Sequence, residues 1–346
     1  MLNLLELIGY EYKKMFARKS TVIALVLALL IAGFTQVMLI IPGFTASDTP
    51  WEIMARIREY SRAMSGTPID GEMIFRAWSY ENMDAEHYGN IRWVTQGAMR
   101  DRFQTMEEAD AFYDAHRNIM FINISRWVEM NRISERGAEW ITHHYDRIET
   151  PWIYQTSGSY QVFFSRLSMV SVVLFFAIAV CLAPIFAAEH STGVAQLMLA
   201  SKLGKSKLLW AKITAAATFS IGVSLLFTLF CYAINMAVFG ADGGSAAFQL
   251  HWPDSPYNFT MAQVTAIFFV NIALRAVFFG AGMLFLSALF KSSFGVMIVA
   301  AVWIMLGLMF FVPLPIRWLF NFKPSGHRGA SAHDKPRAVN LFEHSL

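Results

Sequence analysis

The sequence predicts an all-α integral membrane protein with five transmembrane helices, an amino-terminal interfacial helix and a mostly helical extracellular domain. Three observations carry this expectation. Of 346 residues, 55% are hydrophobic and only 15% are charged, with a mean hydropathy of +0.41. A soluble domain carries about a quarter charged residues. The missing charge is concentrated in long apolar runs, and the lysines flanking those runs recur on alternate connections. The net charge of +3 is too small and too scattered to predict a nucleic-acid partner.

Residues 1–19 precede the first span. Leu4, Ile8, Tyr12 and Met15 share one helical face there, with Asn3, Glu6 and Lys13 elsewhere. Such a helix can lie flat in the membrane interface, or extend the span inward. The first apolar run, Thr21 to Ile41, ends at Pro42-Gly43. It is too long for a signal-peptide core and lacks a small-x-small cleavage site, so it is read as a retained anchor.

A bilayer core needs roughly 20 apolar helical residues. Four further runs qualify: Phe163 to Ala188, with a kink expected at Pro184, then Leu208 to Phe239, Met261 to Phe290 and Ser293 to Val312. Lipid-embedded backbone must satisfy its own hydrogen bonds, so each is expected to be a helix. Lys13, Lys14, Arg18 and Lys19 precede the first span. Lys202, Lys205, Lys207 and Lys212 stand between the second and third, and Lys291 between the fourth and fifth. Residues 240–260 contain no lysine or arginine. A cytoplasmic amino terminus places every basic cluster on one side of a bacterial plasma membrane.

The segment from Gly43 to Tyr160 is long enough for a small domain. It holds twelve arginines, no lysine and eighteen acids. Thr105-Met-Glu-Glu108 fits a capping box. After it, Ala109, Phe112, Ile119, Ile122, Trp127, Met130, Ile133 and Ile141 recur at roughly helical spacing. Its tryptophans, Trp51, Trp78, Trp93, Trp127, Trp140 and Trp152, are read as core and interface residues; an aromatic, arginine-rich binding face is the other reading.

The stretch between the second and third spans, residues 189–207, carries the functional reading. It runs from Phe186 through Glu189, Gly193, Leu197-Met198-Leu199 and Lys202 to Lys205 and Lys207, with Ala211-Lys212 entering the next span. An aromatic, a glutamate three residues on, a glycine four later, a short apolar helix and a basic exit make up the pattern. It resembles the corresponding loop of ABC type-2 permeases, particularly those of Gram-positive bacteria with a large external loop. The likeness extends to the interfacial helix and the span order.

The resemblance implies an exporter permease whose loop seats in an ATP-binding subunit. Glu189, Gly193, Leu197, Met198, Leu199, Lys202 and Lys205 are the expected coupling residues. It also implies a second permease copy or paralogue, and ATP held by the partner chain rather than by a cofactor site here. No Gly-x-x-x-x-Gly-Lys-Ser/Thr occurs in the sequence. Independently of the family, a basic loop beside the membrane can hold orientation through anionic lipid.

Such permeases have six spans. With five, the basic tail from residue 313 to 346 falls outside, and loss of a final helix by truncation is the favoured reading. Asn271 and Arg275, one turn apart in the fourth run, form the intramembrane polar site; Arg275 either faces a pathway or neighbouring helix, or snorkels to headgroups. Ala276 and Gly280 suit close helix contact.

Catalytic and metal sites are not expected. Glu139, His143 and His144 lack a third ligand and a His-Glu-x-x-His frame. Cys181 and Cys231 are read as packing thiols. The reading of another class is a membrane-anchored sensing or assembly protein acting through its extracellular domain.

Overall fold

The computed structural model describes residues 4–38, 50–79, 88, 91–96, 103, 105–130, 133–194 and 206–308. These residues form helices and no strand; two isolated antiparallel bridges, Pro68 with Ile153 and Ala247 with Thr260, are the sheet-like contacts among them. The all-α membrane class follows. Helix α1 spans Leu4–Phe16, and α2, Lys19–Val37, is the first helix long and apolar enough to cross a membrane. The second such stretch, Gly158–Ser191, is built from α8 (Gly158–Leu182) and α9 (Pro184–Ser191). Helices α10 (Lys207–Phe239) and α11 (Met261–Leu289) are the third and fourth.

A shorter apolar helix, α12 (Ser293–Leu308), follows. The fifth predicted run to Val312 is thus described as far as Leu308, and the tail lies outside the described residues. The second span begins five residues before the predicted Phe163 and carries Glu189 inside its helix, where the sequence reading placed the start of a loop. Pro184 removes a donor from the ladder without stopping the helix, because Ala183 keeps helical backbone angles.

The chain divides into two compact units. The first comprises Met1–Met38, Arg166–Asn235 and Ala266–Pro324. Its core is alternately bulky and small: Leu174, Phe175, Ile178, Phe219, Phe227, Phe279 and Met283 are buried beside Ala28, Ala32, Ala215, Ala276 and Ala300. Small residues let helix backbones approach, since lipid offers no hydrophobic penalty for staying apart. The Ala276/Gly280 pair is used this way. A methyl at Gly280 would stand 2.4 Å from Ser220 Oγ. Polar bonds join the helices as well. Asn235 donates to Gln36 Oε1 at 2.7 Å, both side chains fully buried, and Arg166 donates to the Thr35 carbonyl at 2.7 Å.

The second unit comprises the described residues within Leu39–Ser165 and Met236–Thr265. It contains α3 (Pro50–Ala63), α4 (Gly71–Trp78), α5 (Met106–Asp110), α6 (Phe112–Glu129) and α7 (Glu135–Tyr145). Side chains cap these helices where the backbone leaves orphan donors. Asp70 accepts from the Met73 amide at 2.9 Å, and Ser134 from Gly137 at 3.0 Å. The predicted Thr105/Glu108 capping box forms reciprocally. Thr260 and Gln263 make a second reciprocal pair at the start of α11, unnoticed in the sequence.

The buried stripe of α6 is Phe112, His116, Met120, Ile124 and Trp127. Ile122 and Met130, assigned to that stripe from the sequence, are exposed instead. A histidine took a core position that hydrophobicity alone assigns to an apolar residue. His116 stacks on Phe112, meets Trp152 edge-on, and bonds Tyr145 Oη through Nδ1 at 2.7 Å and Asp254 through Nε2 at 3.3 Å. Trp127 and Trp152 are buried core residues, as expected; Trp51 has no described side chain.

Burial holds the Tyr113 and Tyr145 phenols well above the ordinary tyrosine range. A raised folded pKa favours the protonated form. The associated stability is therefore complete below the unfolded value near 10 and is lost as pH rises through the folded one. Ultraviolet titration between about pH 10 and 11 is expected to show these phenols ionising only with cooperative unfolding. Ionisation of both with helicity intact would contradict their burial.

Candidate functional site

The first unit contains a cluster of charges where α1, α9 and α10 meet. Helix α1 is amphipathic as predicted, and Ile8, Tyr12 and Met15 turn inward, but Leu4 is exposed. Glu11 lies on that same inward face and is 3% exposed. Helix α9 presents Glu189, 7% exposed, from its last full turn. Helix α10 presents Lys212 from its second turn, 2% exposed.

Lys212 Nζ donates to Glu189 Oε1 at 2.6 Å, to Glu11 Oε1 at 3.1 Å and toward the Ile185 carbonyl at 3.4 Å. All three ammonium protons thereby have acceptors, and the cation also stands 5.2 Å from the Phe186 ring centroid. Lys14 pairs with the same Glu189 oxygen, and Arg18 Nη2 donates to the Pro184 carbonyl at 3.3 Å.

These contacts change two sequence readings. Lys212, counted among the flanking charges that orient the chain, is a buried structural cation. Glu189, read as a coupling residue at the start of a loop, is engaged by two lysines of its own chain. A buried ion costs several kcal/mol to desolvate, and only good geometry with further hydrogen bonds offsets this. Lys212 has both. The cluster ties three elements from distant parts of the chain to one atom.

Gly193 ends this arrangement. Its φ of +74° puts it in the left-handed region just past α9, where glycine lacks the Cβ clash. Thr192 caps the helix by donating its amide to Ala188 at 3.2 Å. Leu197, Met198, Leu199, Lys202 and Lys205 lie outside the described residues.

The other predicted pair sits in α11. Asn271 and Arg275 are both half-buried. Arg275 stands 14 residues from either end of Met261–Leu289, the differences being 275 − 261 and 289 − 275. At 1.5 Å per residue that is about 21 Å of helix on each side, more in total than the roughly 30 Å of a bilayer core. The cluster and the Asn271/Arg275 pair occupy different elements.

Glu11 was missed, although a signal existed. It falls three residues after Ile8 and four before Met15, on the face read as apolar. A carboxylate on the buried face of an interfacial helix demands a buried cation. Among the described residues no cluster of metal-ligating side chains occurs, and both cysteines are buried and unpaired.

A family model described as ABC-2 family transporter protein matches residues 94–329. That range includes α9, Gly193, Lys212 and α11. No curated protein and no solved structure matches the chain.

Proposed function

The chain belongs to the ABC-2 transporter family and is the multi-pass permease component of an ABC transporter, and from that premise we propose that it is an exporter subunit driven by ATP hydrolysed on a separate chain. The observation that carries the reading is the hold of two lysines, from two other helices, on Glu189. A coupling segment must transmit displacement to several spans at once. Helix α9 meets that need, because its end is tied through one carboxylate to α1 and α10.

In this reading the segment beyond Gly193 seats in the ATP-binding subunit, and Leu197 to Leu199 supply its apolar anchor. The chain itself performs no chemistry; it rearranges as nucleotide closes the partner subunits. Lys13 and Lys19, Lys207 and Lys291 mark the cytoplasmic ends of the helices in a plasma membrane. A second permease copy or a paralogue completes the pathway.

Purification of the tagged full-length chain from its membranes in mild detergent is expected to bring down an ATP-binding subunit bearing a Walker A motif. Gly193→Leu is expected to reduce that recovery by about tenfold, from strain of roughly 1–2 kcal/mol at a left-handed position. Repeated recovery of intact chain with no ATPase would overturn the reading in favour of a sensing or assembly role.

A further inference from the structure

A second attachment holds α9, at its other end. Pro184 has no amide hydrogen, so the carbonyl one turn earlier loses its helical partner, and the first turn of α9 carries unsatisfied donors. Ser287, fully buried on α11, meets the donor side of this defect, the amides of the first turn. Its hydroxyl donates to the Ala183 carbonyl at 2.7 Å and accepts from the Phe186 amide at 2.9 Å and the Ala187 amide at 3.1 Å. A serine hydroxyl has one donor and two acceptor sites. All three are spent on one turn of one neighbouring helix.

This side chain stands between a carbonyl and the amide four residues on, the position of an ordinary helical hydrogen bond. A group inserted into that ladder is a recognised cause of a kink. Here it has a further effect, because the inserted group belongs to another span. Helix α9 is thus held at its start by α11 and at its end by α10 and α1.

We infer that Ser287 is a positioning residue of the transport cycle: it makes α11, the helix bearing Asn271 and Arg275, move with the segment that carries Glu189. The attachment suits that role physically. Separating the helices breaks three buried bonds at once, and the freed amides and carbonyl regain partners only if the ladder of their own helix closes and straightens. The contact then behaves as a rigid joint. The geometry of the joint stands by itself; its part in transport rests on the permease reading above.

Two measurements on the full-length chain in lipid nanodiscs test the joint without any partner. In the unsubstituted chain, the Phe186 and Ala187 amides are expected to exchange among the slowest in residues 184–191. Spin labels at His190→Cys and Lys291→Cys, both exposed positions, are expected to report one narrow distance distribution. Cys181 and Cys231 are buried and leave the label sites distinct. Ser287→Ala should broaden that distribution about twofold or more, by freeing three bonds at once. Ser287→Thr, which keeps the hydroxyl, should leave it narrow. A control pair at Phe285→Cys and Phe294→Cys, spanning α11 and α12, should stay narrow throughout.

Fast exchange at Phe186 and Ala187, or an unbroadened distribution in Ser287→Ala, overturns the inference. Broadening that also appears in the control pair marks misfolding, and the amide exchange of the unsubstituted chain then decides. With the captured ATP-binding subunit, Ser287→Ala should retain hydrolysis while the nucleotide-dependent change in label distance from α11 disappears. Retention of that change sinks the positioning role. Failure to capture any ATPase counts against the permease reading and leaves the joint to the first two measurements.

Discussion

Glu189→Ala is expected to destabilise the membrane unit by about 3–5 kcal/mol, the range for removing one partner of a buried ion pair. The cost arises mainly at Lys212, which is 2% exposed and retains only Glu11 and a long contact to a carbonyl. Lys14 contributes less, because its side chain is 28% exposed and can turn to solvent. Lys212→Met is expected to be comparably harmful, since it leaves two buried carboxylates facing each other.

Combining Lys212→Met with Glu11→Gln and Glu189→Gln should recover most of the loss. Removing the three buried charges abolishes the desolvation penalty that the single changes expose, and Lys14, 28% exposed, can turn to solvent. Unfolding by denaturant in mild detergent, followed by tryptophan fluorescence, measures all four proteins. Single variants within about 0.5 kcal/mol of the parent would show the cluster to be solvated. The triple variant should fold yet lose the hold of α1 and α10 on α9, so retained nucleotide coupling in it would contradict the proposed role of Glu189.

Gly243→Ala is expected to be the most damaging single methyl addition in the second unit, at roughly 2–5 kcal/mol. Two effects add: about 1–2 kcal/mol for a side chain in the left-handed region, and about 1–3 for overpacking. Gly243 has φ +90°, and its Cβ would sit 1.8 Å from the Thr156 carbonyl oxygen. Backbone must move to admit it. The turn it belongs to is closed by bonds from Ala246 to Gly243 at 3.1 Å and from Met261 to Ala246 at 2.9 Å.

Gly240→Ala should cost less. Its φ is +98°, but the nearest obstacle is the Arg58 side chain at 3.3 Å, which can yield. Gly222→Ala, in α10 with open space around it, should be neutral or slightly stabilising. Thermal midpoints in detergent give the order. Equal midpoints for the Gly243 and Gly222 variants would refute the described turn.

Much of the architecture was legible because hydrophobic run length and backbone hydrogen bonding leave few options in lipid. The runs at Leu208–Phe239 and Met261–Phe290 reappear within one residue as α10 and α11. The Thr105/Glu108 capping box was legible because its partners are three residues apart. Its long-range counterparts were not. His116 was passed over because its neighbours Tyr145 and Asp254 are 29 and 138 residues away, and nothing local marks a histidine as one whose ring will be satisfied in a core.

The same limit divides the candidate site. Pro184 stood out from sequence because a missing amide hydrogen is local chemistry, and Glu189 and Gly193 because their spacing fits the loop pattern that resembles ABC type-2 permeases. Glu11, Lys212 and Ser287 acquired their roles only from packing. Lys212 looked like an orienting charge, and neither Glu11 nor Ser287 drew a reading. The sequence by itself determined the class, the helices and the segment that joins them. Tertiary structure alone decided which side chains hold that segment, because a buried charge or hydroxyl is defined by the partner that satisfies it, and the partners here lie between 23 and 201 residues away.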